Sequence, residues 1–293
     1  MTAKSRHAGY IALVGRTNVG KSTFLNALME RKIAIVSDKP QTTRKRILGI
    51  KTTPHGQLIF FDCPGIHKPF FKMNEKMMAD VHEALRDADL ILYFVDMDGT
   101  FEDKFILEML SKLKKSVLLV INKIDRHGKN RILEKIEFYR TLFPWKEIVP
   151  ISARHGDNLD LLEELLYRHL PEADNYFDED KVTDQSETYY LAELIREKTL
   201  EMVHDELPFT SNVKVEEITD RGELVFVRAE IWVENHSQKK IIIGRRGSLL
   251  KQIGCNARQA LEEYFAKKVF LELFVKIVPG WRNSPLIIKD IFN

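Results

Sequence analysis

Gly15-Arg16-Thr17-Asn18-Val19-Gly20-Lys21-Ser22 decides the fold. The stretch fits G-x-x-x-x-G-K-[ST]. It stands between an apolar run, Tyr10–Val14, and a segment of helical spacing, Lys21–Met29, whose Phe24, Leu25 and Leu28 share one face. Strand, glycine-rich loop and helix in that order form a phosphate cradle. The glycines let the backbone curl until amide N–H groups converge on phosphate oxygens, and the helix N-terminus adds its dipole. Lys21 is placed to bridge β- and γ-phosphates, and the Ser22 hydroxyl to bind Mg²⁺. Arg16, Thr17, Asn18, Val19 and Thr23 belong to the same expected nucleotide site.

Outward from this loop the first half alternates. Ile47–Thr52 and Leu58–Phe61 read as strands joined at Pro54-His55-Gly56. Leu90–Val95, Val117–Ile121 and Ile148–Ile151 are short apolar runs of buried-strand type. Met73–Arg86, Phe101–Leu113, Arg131–Leu142 and Leu159–Leu170 carry helical spacing, while residues 31–46 are polar and read as a loop. This predicts an α/β domain over residues 8–170, a mostly parallel sheet with helices on both faces. Pro171 stops the last helix, and residues 171–185, rich in Asp and Glu without apolar periodicity, read as an exposed linker. The pattern then changes to helix Tyr189–Val203, strands Asn212–Thr219 and Glu223–Glu234 with a turn at Asp220-Arg221-Gly222, a short helix Lys239–Ile243, helix Leu249–Ala266 and strand Val269–Ile277. A separate small α+β domain over 186–280 is expected, with a C-terminal tail at 281–293.

The composition agrees with two domains. The chain has 293 residues, 44% hydrophobic and 30% charged, which excludes a disordered chain. Its net charge of +2 hides a partition: residues 1–175 carry net +5, residues 176–238 net −10 and residues 239–293 net +7. Two cysteines, Cys63 and Cys255, exclude a disulfide framework and suit a reducing cytosol. No run approaches a membrane span, and Met1–Ala8 is short and polar without a secretory core.

Three further motifs end expected parallel strands, where open α/β sheets bind ligands. Asp62-Cys63-Pro64-Gly65 puts a carboxylate within reach of the Mg²⁺ shell and the Gly65 amide within reach of a γ-phosphate. Asn122-Lys123-Ile124-Asp125 presents a carboxylate that accepts from the N1–H and exocyclic amine of guanine, a donor pair adenine lacks. Ser152-Ala153 offers a backbone amide to the guanine O6. Together with the phosphate loop they specify a GTP site. The residue after Gly65 is Ile66, whose side chain cannot orient an attacking water. His55 and His67 read as ordinary surface histidines.

With these motifs the sequence resembles the translation-factor-like GTPases and, within them, the Era family. The resemblance implies that Pro40-Gln41-Thr42-Thr43-Arg44 is the first switch. One of its threonines would bind Mg²⁺ beside Ser22 and Asp62; Thr43 is favoured and Thr42 is the alternative. It also matches Asn18 to the asparagine with which relatives coordinate K⁺ beside the phosphates, so Asn18, Lys21, Thr43 and Gly65 are the expected catalytic set.

In the second half, Ile241-Ile242-Ile243-Gly244-Arg245-Arg246-Gly247 resembles the G-x-x-G signature of a KH domain, and the order helix, strand, strand, helix, helix, strand resembles the type II arrangement. The glycines would admit a sugar-phosphate backbone, with Arg245, Arg246, Lys239, Lys240 and Lys251 supplying charge and Arg258 on the flanking helix. The family resemblance implies binding of single-stranded RNA near the 3′ end of the small-subunit ribosomal RNA and a role in small-subunit assembly. It also implies a cytoplasmic, monomeric protein with peripheral association with the inner face of the cell membrane. Rival readings each lack a feature. A signalling GTPase would not carry the basic G-x-x-G domain, and an RNA-modifying GTPase would need a catalytic module. A non-enzymatic KH protein would not keep Lys21, Ser22, Asp62 and Asp125.

Overall fold

The computed structural model describes residues 6–99 and 103–292. The start of the expected helix at Phe101 and Glu102 and most of the polar N-terminus lie outside the described residues. The chain forms two compact units. The first comprises the chain up to Ala34, then Thr43–Pro69 and Asn74–Asp184; the second comprises Ile35–Thr42, Phe70–Met73 and the chain from Gln185 onward.

The first unit is a six-stranded sheet of β1 (His7–Gly15), β2 (Ile47–Thr53), β3 (Gly56–Asp62), β4 (Leu90–Asp96), β5 (Ser116–Asn122) and β6 (Ile148–Pro150), in the order β2-β3-β1-β4-β5-β6. Only β2 runs antiparallel to its neighbour; the other pairs are parallel. Successive side chains of a strand point to opposite faces, and β1 feeds both. Ile11 and Leu13 join a core with α1 (Lys21–Leu28) and α5 (Leu159–His169). Ala12 and Val14 join another with α2 (Lys72–Asp87), α3 (Lys104–Ser111) and α4 (Lys129–Arg140). Burial of each large aliphatic side chain contributes about 1.5–3 kcal/mol, so an uninterrupted apolar strand is stable only with both faces covered.

The second unit contains α6 (Glu187–Met202), α7 (Leu207–Thr210), β7 (Asn212–Asp220), β8 (Leu224–Val233), α8 (His236–Ile243), α9 (Ser248–Phe265), β9 (Lys268–Ile277) and α10 (Pro285–Phe292). Its sheet has the order β7-β8-β9, antiparallel then parallel. Val225, Val227, Ala229, Ile231 and Val233 alternate onto the face covered by α6, α8 and α9, in one core with Leu191, Ile195, Ile253, Ala257 and Leu261. Ser186 caps α6 by accepting the Tyr189 N–H at 3.3 Å, and Asn235 caps α8 by accepting that of Gln238 at 3.0 Å.

Two segments differ from the sequence reading. Residues 171–184 are largely exposed, as the sequence reading has it, but they are also anchored by hydrogen bonds to the first unit. Ile50 N–H donates to Val182 O at 2.9 Å and Leu48 N–H to Asp184 at 3.1 Å, while fully buried Gln57 accepts from Tyr176 and Phe177 and donates to Phe177 O. The strap satisfies donors that β2, an edge strand, would otherwise leave open. The expected tail is also structured: Trp281 is fully buried, its Nε1–H donates to Thr210 O at 3.0 Å, and α10 buries Ile288 and Phe292. Trp281→Ala therefore leaves a cavity and an unpaired carbonyl. It should lower the unfolding free energy of the second unit by about 3–5 kcal/mol in urea titrations followed by circular dichroism; a change below about 1 kcal/mol would contradict this packing.

Candidate functional site

The phosphate loop joins β1 to α1. Gly20 holds φ +96°, and a Cβ there would lie 2.2 Å from Asn122 Nδ2, so only glycine fits. Asn122, 2% exposed, occupies that space for a reason. Its Nδ2 donates to Val19 O at 2.8 Å, and its Oδ1 accepts from Lys123 N–H at 2.8 Å and Ala153 N–H at 3.0 Å. One buried amide thus ties together the phosphate loop, the Asn122–Asp125 motif and Ser152-Ala153. Lys21 is buried, with Nζ donating to Arg16 O at 2.8 Å. Burial pulls its ammonium below the ordinary range while Asp62 opposes the shift.

Ser22, Thr43 and Asp62 come together. Ser22 Oγ donates to Asp62 Oδ2 at 2.6 Å and lies 2.9 Å from Thr43 Oγ1. Thr42 instead donates its hydroxyl to Lys39 O at 2.6 Å. Asp62 is fully buried, and its Oδ1 has no hydrogen-bond partner. Burial pushes this carboxyl up to about 6, with the Ser22 hydrogen bond and Lys21 pulling the other way. A buried carboxylate with one oxygen lacking a donor and the other on the Ser22 hydroxyl, with the Thr43 hydroxyl next to Ser22, is a set of hard oxygens that fits Mg²⁺, whose remaining positions go to phosphate and water. Among the described residues no group of three or more His, Cys, Asp or Glu could hold a metal alone. Gly65 is buried, and the following Ile66 donates its N–H to Gly15 O at 3.0 Å while its side chain joins the core. Cys63 is buried, and burial pushes its thiol far above the ordinary range, so it is inert.

At the base end, Asp125 accepts the Ser152 hydroxyl at 2.6 Å, which holds its carboxyl below the usual range. Lys123, at φ +66°, donates Nζ to Asp96 at 2.7 Å. Nothing in the sequence marks Asp96 or Asp103. Asp103 pairs with the Arg16 guanidinium and accepts the Tyr93 hydroxyl at 2.9 Å, beside a cavity of about 300 Å³ lined by Arg16, Thr17, Val19, Asp96 and Asp103. Only their place at the end of β4 and the start of α3 brings them to the loop.

The second unit carries the other expected site. Gly244 follows α8 at φ +73°, where a Cβ would meet Leu249 Cβ at 2.8 Å; Arg246 at φ +51° and Gly247 complete the turn into α9. Lys240, Arg245, Arg246 and Lys251 are exposed, Lys239 is half-buried, and among the described residues none of the five enters an ion pair. Arg258 pairs with Glu262 at 3.3 Å. Beside the loop a groove of about 400 Å³ runs between α9 and β9, lined by Gly247, Lys251, Gly254, Arg258, Leu271 and Leu273. No sequence motif singles out this groove; Gly254, a glycine inside a helix with open space where a side chain would stand, is the feature that could have pointed to it.

Comparison with known proteins decides the family. A family described as 50S ribosome-binding GTPase matches residues 10–123, and the KH domain family matches residues 206–282. The chain is 46% identical to GTPase Era of Caldanaerobacter subterraneus subsp. tengcongensis, covering 97% of both chains, and 43% identical to GTPase Era of Geotalea uraniireducens, covering 99% of both. The chain belongs to the Era family of GTPases. A crystal structure of Era with MgGDPNP and nucleotides 1506–1542 of 16S ribosomal RNA superposes with TM-score 0.93 at 39% identity, covering 97% of this chain and 98% of that one. A point variant of Aquifex aeolicus Era bound to GDP and aluminium fluoride gives TM-score 0.93 at 38% identity, with the same coverage.

In this Era-family chain the buried Asp62 yields a pH signature. Without nucleotide and Mg²⁺ its folded-state pKa, about 6, lies above its unfolded value of 3.8. Its contribution to stability is full below the unfolded value and lost as pH rises through about 6. Asp62→Asn removes that loss. Nucleotide-free Asp62→Asn should exceed wild type by about 3 kcal/mol at neutral pH and converge with it in acid. Urea unfolding across the pH range measures this; a pH-independent difference would contradict it.

Proposed function

We propose that this chain binds and hydrolyses GTP with Mg²⁺, binds the 3′ end of small-subunit ribosomal RNA through its KH domain, and acts in assembly of the small ribosomal subunit. The observation that carries the reading is the Asn122 tie, which holds phosphate-binding and guanine-binding elements in one site at the C-terminal ends of parallel strands. Asp125 accepts the two guanine donors. Lys21 leaves its loop carbonyls for the β- and γ-phosphates, and Ser22, Thr43 and Asp62 hold Mg²⁺. Bound Mg²⁺ supplies neutralisation of the charge that develops on the phosphates. The Gly65 amide meets the γ-phosphate. Ile66, directly after Gly65, offers no polar group, and by family resemblance Asn18 would hold a K⁺ ion that supplies the charge neutralisation of an arginine finger. Nucleotide state gates RNA binding by ordering the two switches, around residues 37–46 and 62–75. A monomeric state, a cytoplasmic location and peripheral association with the inner face of the cell membrane are proposed on family resemblance alone; among the described residues no helix is long and apolar enough to cross a membrane.

The two sites are separately testable. Arg245→Glu together with Arg246→Glu should abolish binding of single-stranded ribosomal RNA, which in wild type weakens with rising salt, while GTP affinity is unchanged. Retained RNA affinity in the double variant would refute the RNA site. GTP turnover should be faster in K⁺ than in Na⁺, and Asn18→Ala should remove the difference. Equal wild-type rates in both salts would remove the ion from the mechanism.

A further inference from the structure

The first-switch segment is divided between the two compact units: Ile35–Thr42 belongs to the second and Thr43 to the first. Within this segment the chain passes from the second unit back to the first at the Thr42–Thr43 peptide. On the second unit's side, α6 grips the segment. Arg196, 1% exposed, donates Nη2 to the carbonyl of Thr42. The same guanidinium is locked by both carboxylate oxygens of Glu193, Nε to Oε1 and Nη2 to Oε2, each at 2.7 Å. One turn on, Glu197, 4% exposed, accepts the Val36 N–H at 3.0 Å. On the first unit's side, Thr43 Oγ1 stands 2.9 Å from Ser22 Oγ.

A buried ion pair is a poor device for stability alone, because apolar residues of similar volume usually serve as well or better. A guanidinium has a fixed fork of donors. With one edge held by Glu193, Arg196 has a defined direction in which to grip a carbonyl, and that carbonyl belongs to the peptide bond that leads into Thr43. Orienting this peptide orients the Thr43 side chain. The other end of α6 packs against α9, with Tyr190 and Tyr264 rings 5.3 Å apart and the Tyr264 hydroxyl donating to Glu187 at 3.2 Å. α9 lines the RNA groove.

We propose that Arg196 is the positioning residue through which the nucleotide state of Thr43 reaches the RNA-binding domain, by way of the Thr42–Thr43 peptide and α6. This rests on the gating and on the Thr43 role proposed above. When Thr43 engages Mg²⁺, the Thr42 carbonyl and Arg196 take one arrangement; when Thr43 is released with GDP, the grip on α6 changes, and α9 with it. By linkage, RNA binding then changes the preference of the protein for GTP over GDP by the same factor.

The test uses the full chain, a synthetic single-stranded RNA with the sequence of the small-subunit rRNA 3′ end, GDP, and a non-hydrolysable GTP analogue. Arg196→Lys keeps a cation on Glu193 but has one nitrogen and cannot serve both Glu193 and Thr42. The pair Arg196→Met with Glu193→Gln removes both charges and leaves no unpaired buried ion, which covers the case in which the first variant misfolds. In wild type the RNA affinities with the two nucleotides should differ by roughly 5–150-fold, the range typical of coupled sites. In either variant the ratio should collapse to less than about twofold, with GDP affinity unchanged and preference for the GTP analogue reduced. A purely structural Arg196 would lower the melting temperature and leave the ratio intact, and that result overturns the inference while the gating stands. A wild-type ratio of one overturns the gating and the inference together.

Discussion

The side-chain amide of Asn122 is the interaction on which the nucleotide site depends. It makes three hydrogen bonds to three backbone segments far apart in sequence, and it fills the space that the absence of a Cβ at Gly20 opens. Each such bond contributes roughly 0.5–1.5 kcal/mol net, whereas a partner left unsatisfied in the interior costs about 1–3 kcal/mol. The asymmetry matters more than the sum. Removing the amide would leave Val19 O and Ala153 N–H without this buried partner. A preorganised cradle costs nothing to assemble when phosphate arrives, and that is how fixed dipoles stabilise developing charge.

Charge is handled differently in the two units. At the phosphates it is buried: Lys21 and Asp62 sit in the interior, each pushed toward its neutral form by burial and held back by the other. Around the G-x-x-G loop charge is exposed, and the structure accounts for much of the opposed blocks of net −10 and +7. Acids of the first block pair with bases of the second: Glu230 with Lys276 between neighbouring strands, and Glu234 with Arg282 and Asp220 with Lys267 at the strand ends. Buried Glu193 and Glu197 account for two more of the acids. These pairings consume lysines and arginines away from the G-x-x-G loop, while among the described residues Lys240, Arg245, Arg246 and Lys251 enter no ion pair beside it. The excess of positive charge is therefore local.

What was legible in the sequence had a period or a spacing. The apolar runs Tyr10–Val14, Leu90–Val95 and Val117–Ile121 became buried parallel strands because only a doubly covered sheet can bury both faces. The alternation in β8 became the core face of the second sheet. What was not legible had neither. Residues 171–184 bind β2 through their own backbone and one buried glutamine, so their acidic, aperiodic side chains gave no sign of it. Arg16 and Asp103, like Arg196 and Thr42, are partners only because the topology brings them together across 87 and 154 residues. The C-terminal helix was too short for periodicity to outweigh its place at the end of the chain, although Trp281, buried and hydrogen-bonded, anchors it.

Ile66 carries this reasoning to the hydrolysis step. Its side chain is 6% exposed and packs with Ala12, Val14 and Val81 in the core under α2. Swinging an isoleucine out of such a core would forfeit about 1.5–3 kcal/mol, and it would bring to the phosphate a group that neither donates nor accepts a hydrogen bond. His67, next in sequence, is turned back through Nδ1 onto the Gly65 carbonyl at 2.7 Å. Gly65 and the residues after it thus offer backbone rather than side chains here, and the Ile66 N–H is already engaged by Gly15 O. A backbone donor is only as well placed as its loop is ordered. In the hydrolysis proposed for this chain, the attacking water would therefore depend on the order of this loop rather than on one side chain.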